Sequence, residues 1–293
     1  MVRTLQDQKG VRALVVLGVD ADDAASRLHS ILATAAGATH RLRGIVAVGG
    51  DGLVHMALNA AVEHDLPLGI VPAGTGNDFA RAVGLRTPTP DAAAATIVEA
   101  LSPSELPRID VGRLEDGPAF GCVLSAGFDA TVNARANRLG RLGGRVRYPA
   151  AMLAELPRFR PVECVITVDG VEHSHSAMLI AIANGSSYGG GMQICPAASV
   201  TDGQLDVTVV SEIGVLELLR LFPRVYSGRH MEHPAAHAYR GGEVSVRFTG
   251  PAVPPVFADG EPMAEYVRSA AISVPMRASV RPGAVRLLAP GLP

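Results

Sequence analysis

Over the first third of the chain, short apolar runs at 11–19, 45–48 and 68–71 alternate with alanine-rich stretches at 22–36, 53–64 and 91–101. Apolar runs of strand length followed by helix-length amphipathic stretches give the β-α-β-α rhythm of a parallel sheet. In the stretch after the second run, Leu53, Met56, Ala57, Ala60 and Ala61 recur at helical spacing and predict a stripe facing a core. From about residue 114 the pattern changes to short apolar runs at 164–168, 177–183, 205–210, 244–248 and 271–274, punctuated by turn dipeptides such as Asp169-Gly170 and Asn184-Gly185. That predicts a mostly antiparallel β region. The expected division is an α/β domain at 1–113, to which 277–293 returns, and a β domain at 114–276.

The candidate chemistry lies where the first two strands hand over to their helices. Gly49-Gly50-Asp51-Gly52 follows one run and Gly74-Thr75-Gly76-Asn77-Asp78 the next, which is where open α/β sheets place their ligands. Glycines let backbone N–H groups approach phosphate oxygens, and a following helix turns its positive end toward them. Asp51 and Asp78 would repel a bare phosphate unless a hard cation such as Mg2+ lay between. ATP with its Mg2+ meets both demands. The alternative is that Asp51 and Asn77 or Asp78 only cap the helices that follow.

Composition narrows the class. The chain has 293 residues, 48% of them hydrophobic, and a formal net charge of −2. This excludes a disordered polymer and gives no general attraction to nucleic acid. Cys122, Cys164 and Cys195 are an odd number without a CxxC pair, which argues against a disulfide framework or a zinc site and for a reducing, cytoplasmic setting. No run reaches membrane-spanning length. His230, His233 and His237 are read as surface histidines, and the stretch 216–226 as packed core. Between residues 130 and 162, Arg135, Arg138, Arg141, Arg145, Arg147, Arg158 and Arg160 stand against Glu155 alone, a pattern suited to an anionic leaflet or equally to an ordinary solvated face.

Taken in order, Gly49-Gly50-Asp51-Gly52, the segment from Pro72 to Arg81, Ile109-Asp110-Val111-Gly112, Gly127-Phe128-Asp129, Asn184-Gly185 with Gly189-Gly190-Gly191-Met192, Asp202-Gly203-Gln204-Leu205-Asp206 and Asp259-Gly260-Glu261-Pro262 resemble the soluble bacterial diacylglycerol kinase and lipid kinase family. The resemblance implies a Rossmann-like nucleotide domain followed by a β-sandwich, with the active site in the cleft between them. It implies ATP-dependent phosphorylation of a lipid hydroxyl, at the inner face of the membrane and with only peripheral contact. By that resemblance ATP would be held by Gly49, Gly50, Asp51, Gly52, Leu53, Val54, His55 and Met56 together with Gly74, Thr75, Gly76 and Asn77. Asp51 and Asp78 would lie near its phosphates and Mg2+, and Glu261 would be the base; by spacing alone Asp259-Gly260 is a hairpin turn with Glu261 beside it.

The resemblance also implies a structural Mg2+ held by Asp202 with the backbone oxygens of Ser199 and Gln204, and Asp110 bridging toward it through water. Two positions depart from the family pattern: Leu53 stands for the usual threonine and His55 for the usual asparagine. The opening segment aligns with the family's second strand and its helix, so a first strand and one nucleotide-contacting loop are expected to be absent.

Overall fold

The computed structural model describes residues 13–35, 42–85, 89–101, 105–127, 131–132, 135, 160–250, 253–263 and 275–289. Its α/β part comprises α1 (Ala21–Ala35), β1 (Ile45–Gly49), α2 (Asp51–His64), β2 (Leu68–Pro72), the short α3 (Asp78–Ala82) and α4 (Pro90–Ala100). β1 and β2 run parallel with Gly49 opposite Pro72, so both glycine loops leave the sheet at the same level. α4 begins as its sequence dictates: the Thr89 hydroxyl accepts from the Ala92 N–H at 3.2 Å, and Pro90 occupies the first turn, where no amide donor is needed.

Two expectations fail here. Residues 13–18 form no strand: no strand among the described residues offers them a ladder, and Leu17 and Val19 are exposed. The buried stripe of α2 is Val54, Ala57, Leu58, Ala60 and Ala61, whereas Leu53 is turned outward beside Gly49, because the mouth of the loop, not the core, lies on its side of the helix.

The β part contains β3 (Arg108–Leu114), β4 (Ala119–Phe120), β5 (Val123–Gly127), β6 (Val162–Val168), β7 (Val171–Ala183), β8 (Leu205–Ser211), β9 (Ala236–Gly241), β10 (Glu243–Phe248), β11 (Val256–Ala258), β12 (Glu261–Pro262) and β13 (Met276–Arg286). A helix, α5 (Val215–Val225), and a 3-10 turn at Arg229–Glu232 intervene between β8 and β9. β7 organises the antiparallel sheet. It leaves β6 through Asp169 and Gly170, both at positive φ as a two-residue hairpin demands, and its far half then pairs with β5 on one edge and β8 on the other. The sheet thereby folds over itself into a sandwich around Phe120, Ile166, Ile180, Leu205 and Val246.

The two parts share a second core. Leu58, Phe79 and Val83 from the α/β side pack with Val111, Val123, Ala181 and Ile194 from the β side, so the cleft between them has a continuous apolar floor. Beyond β13 the chain returns: Leu287 bridges Leu68 in parallel and the Leu288 N–H bonds the Leu68 carbonyl at 2.9 Å. Among the described residues no helix is long and apolar enough to cross a membrane. The Arg-rich segment, except Arg135 and Arg160, the run 271–274 and residues 1–12 lie outside the described residues.

Gly112 of β3 faces Phe120 of β4 so closely that a Cβ would fall inside the ring. Gly112→Ala should therefore cost about 1–3 kcal/mol of stability through overpacking, read as a lowered midpoint in urea unfolding.

Candidate active site

The two glycine loops touch. Gly50 and Gly74 meet backbone to backbone, and the Ala73 N–H donates to the Gly49 carbonyl at 2.9 Å. Asn77 sits at φ 53, and its side chain closes the second loop on Gly74 through two bonds of 2.9 Å. Asp51 opens α2, yet its carboxylate caps the neighbouring helix, accepting the N–H groups of Asn77 and Asp78 at 2.8 Å each. The first turn of α2 itself has no side-chain cap, so its N–H groups face the cleft, where an anion is stabilised. Burial, and next the charge of Asp78, push the Asp51 carboxyl above its ordinary range against those two hydrogen bonds.

Asp78 is 5% exposed, and its carboxylate is fully engaged. It accepts the N–H groups of Gly190 and Gly191 at 2.7 and 2.8 Å, the Arg81 guanidinium at 2.6 Å and the Ser187 hydroxyl at 3.4 Å. Its place is at the seam between the second glycine loop and the Gly189–Gly191 loop, and its direct partners are protein groups. Thr75 and Gly76 stay at the cleft surface; a Cβ on Gly76 would collide with the Asp51 carboxylate.

Opposite stands the hairpin joining β11 to β12. Asp259 and Gly260 both take positive φ, and Ala258 pairs with Glu261. Asp259 accepts three consecutive N–H groups, from Gly121, Cys122 and Val123, at 2.7, 2.8 and 3.0 Å. His55 Nδ1 lies 3.2 Å from the same carboxylate, and Asn59 holds the other ring nitrogen at 3.3 Å. Burial opposes a charge on His55, but the Asp259 bond and the nearby carboxylates of Asp259 and Glu261 outweigh it and raise its pKa. Glu261 projects over Gly52 in the first turn of α2, where a Cβ would come within 2.6 Å of its Oε1. The base candidate and the uncapped helix end therefore face one another. Val54 is core, Met56 is half-buried, and His55 makes an inter-lobe contact with Asp259.

The residues expected to hold a structural Mg2+ lie together: the Asp110 N–H bonds the Val200 carbonyl at 2.7 Å. The Asp202 carboxylate accepts from the Gln204 N–H at 3.0 Å and pairs with the Arg240 guanidinium. Asp110 is buried and accepts the N–H groups of Gly203 and Gly283 at 2.7 Å each, tying this loop to the bulge in β13. The Ser199 hydroxyl pairs with Thr201. The Asp202 carboxylate thus lies against a guanidinium, and the Asp110 carboxylate accepts two amides. No grouping of three or more metal-ligating side chains occurs among the described residues.

One further reading is corrected. His230 is fully buried, its Nε2 3.0 Å from the Ile194 carbonyl and its Nδ1 without a partner; His233 instead pairs with Glu217 at 3.0 Å. All three cysteines are buried and free, and burial pushes the Cys164 and Cys195 thiols up to about 12. Beside His230, an apolar cavity opens between α5 and the sandwich, lined by Met178, Tyr188, Met192, Leu221, Phe222 and Val225. The Tyr188–Met192 wall of that cavity carries the Gly190 and Gly191 amides that hold Asp78.

Comparison with known proteins matches this geometry to a family. Residues 2–114 match the diacylglycerol kinase catalytic domain, and residues 122–289 match the YegS C-terminal NAD kinase beta sandwich-like domain. A diacylglycerol kinase of Mycobacterium tuberculosis (strain H37Rv) is 39% identical over 287 residues, 96% of this chain and 86% of that protein. The chain belongs to the diacylglycerol kinase and YegS-like lipid kinase family. A Klebsiella pneumoniae protein described as "Probable lipid kinase YegS-like" is 32% identical over 56% of this chain and 55% of its own length. The crystal structure of a diacylglycerol kinase from Bacillus anthracis shares the fold at TM-score 0.61 and 17% identity, over 90% of this chain and 81% of that one.

Sequence reasoning placed the loops of this lipid kinase but passed over Asp259, Arg81 and Ser187. Asp259 carried a signal, since an acid in a two-residue turn needs donors if the turn is buried; nothing in the sequence marks Ser187.

The sign of the His55 effect is fixed by its raised pKa. The stabilisation from its pairing with Asp259 is complete below the ordinary histidine value of 6.5 and is lost as pH rises through the raised folded value. His55→Asn should remove this dependence from unfolding midpoints measured between pH 5 and 9. Asp259→Ala, which strands three backbone N–H groups, should lower stability by roughly 3 kcal/mol or more at every pH.

Proposed function

We propose that this protein is an ATP-dependent lipid kinase that phosphorylates the hydroxyl of diacylglycerol. One observation carries the reading: the Glu261 carboxylate lies directly over Gly52 at the uncapped end of α2, beside the paired glycine loops. An anion-binding helix end and a proton acceptor are thereby brought to one point from opposite lobes.

In this reading the first-turn N–H groups of α2 and the Gly74–Asn77 loop hold the nucleotide phosphates. ATP enters as its Mg2+ complex, a substrate, and supplies the cation that the facing acids Asp51 and Asp78 favour. Glu261 accepts the proton of the lipid hydroxyl as that oxygen bonds to the γ-phosphorus, and the bond to the β–γ bridging oxygen breaks to release ADP. Asp78 acts through the loops that it holds. The names of the relatives support the substrate class.

Purified protein with radiolabelled ATP, Mg2+ and mixed micelles of diacylglycerol, sphingosine or no lipid tests the assignment. Labelled phosphatidate with diacylglycerol alone is expected. No labelled lipid from any mixture would leave a member that binds nucleotide or lipid without transfer. Glu261→Gln should lower turnover by about 100-fold or more while ATP binding, measured by calorimetry, changes little. Gly52→Ala should displace the carboxylate and lower kcat by roughly 10- to 100-fold.

A further inference from the structure

α5 is apolar over far more of its circumference than packing requires. Leu218, Leu221, Phe222 and Val225 turn inward and line the cavity. Roughly a third of a turn away, Val215, Leu216, Leu219 and Tyr226 are 45%, 70%, 36% and 50% exposed. The two arcs join and span about 220° of the helix, against the roughly 100° stripe of an ordinary surface helix. Next to the exposed arc come Arg220 and Arg224, one turn apart, with no ion-pair partner among the described residues. The acid of this helix, Glu217, lies beyond them and is held by His233 at 3.0 Å.

We propose that α5 docks the protein onto an anionic bilayer, its outward apolar arc entering the headgroup boundary while Arg220 and Arg224 meet lipid phosphates. A helix with a wide apolar face bordered by cations suits that interface, and charge complementarity selects an anionic leaflet over a neutral one. Continuity points the same way: the face that meets the bilayer and the face that walls the apolar cavity belong to one helix. A second copy of the chain would satisfy the apolar arc but would leave the two arginines without counter-charge. The docking rests on the reading that the substrate is a membrane lipid, and it assigns to α5 the contact that the arginine count of 130–162 suggested for another segment.

The test is co-sedimentation of the full chain with vesicles of phosphatidylcholine, alone or with about 30% phosphatidylglycerol, beside a kinase assay on a short-chain diacylglycerol dispersed as monomers. The wild-type protein is expected to bind the anionic vesicles preferentially. The double substitution Leu216→Glu with Leu219→Glu should weaken that binding at least tenfold. Arg220→Gln with Arg224→Gln should weaken it several-fold and remove most of its salt dependence. Both variants should keep wild-type turnover on the monomeric substrate, because none of these four side chains lines the cavity or the cleft. Binding by the glutamate variant within twofold of wild type overturns the proposal. So does a wild-type protein that ignores both vesicle types, or a dimer in solution that the glutamate substitutions dissociate. Absence of any phosphorylation of the monomeric lipid sinks the kinase reading instead and leaves the vesicle result standing on its own.

Discussion

A carboxylate accepting two or more backbone N–H groups is the interaction on which this molecule depends. Asp51 holds Asn77 and Asp78, Asp78 holds Gly190 and Gly191, Asp110 holds Gly203 and Gly283, and Asp259 holds Gly121, Cys122 and Val123. A buried charge is tolerated only when its lone pairs are filled, and loop amides are costly to bury unpaired. Each requirement satisfies the other. The loops around the cleft carry no helix or strand ladder of their own, so these bonds fix where they stand.

The bonds also form a chain. Asp51 fastens the second glycine loop to the first, Asp78 fastens that loop to the wall of the apolar cavity, and Asp259 fastens the hairpin bearing Glu261 to the β4–β5 corner and, through His55, to α2. The two glycine loops, the Glu261 hairpin and the Gly189–Gly191 loop are thus linked by short, charge-assisted contacts of fixed length. Glycine permits the approach at the tightest points: Gly50 against Gly74, Gly76 against Asp51 and Gly52 against Glu261. A side chain at any of these would push the loops apart.

α5 shows the same economy on another face of the sandwich. One face of the helix closes a cavity and the other is left apolar and bordered by arginines.

The sequence by itself determined the local elements. Apolar periodicity placed α1, α2 and α4 within a residue or two, and the strands β6, β8 and β10 nearly as closely, because those patterns report one-sided burial. Two glycine loops after successive parallel strands had to emerge side by side, and Asp259-Gly260 had to turn tightly. Only the tertiary structure decided which groups those loops would meet. That Asp78 would be buried against the amides of Gly190 and Gly191, more than a hundred residues away, is not written in its own loop. His230 looks like a surface histidine until the Ile194 carbonyl covers it, and 216–226 looks like core until Leu216, Leu219 and Tyr226 prove exposed. Hydrogen bonds and burial are properties of pairs of surfaces, and a linear pattern records only one member of each pair.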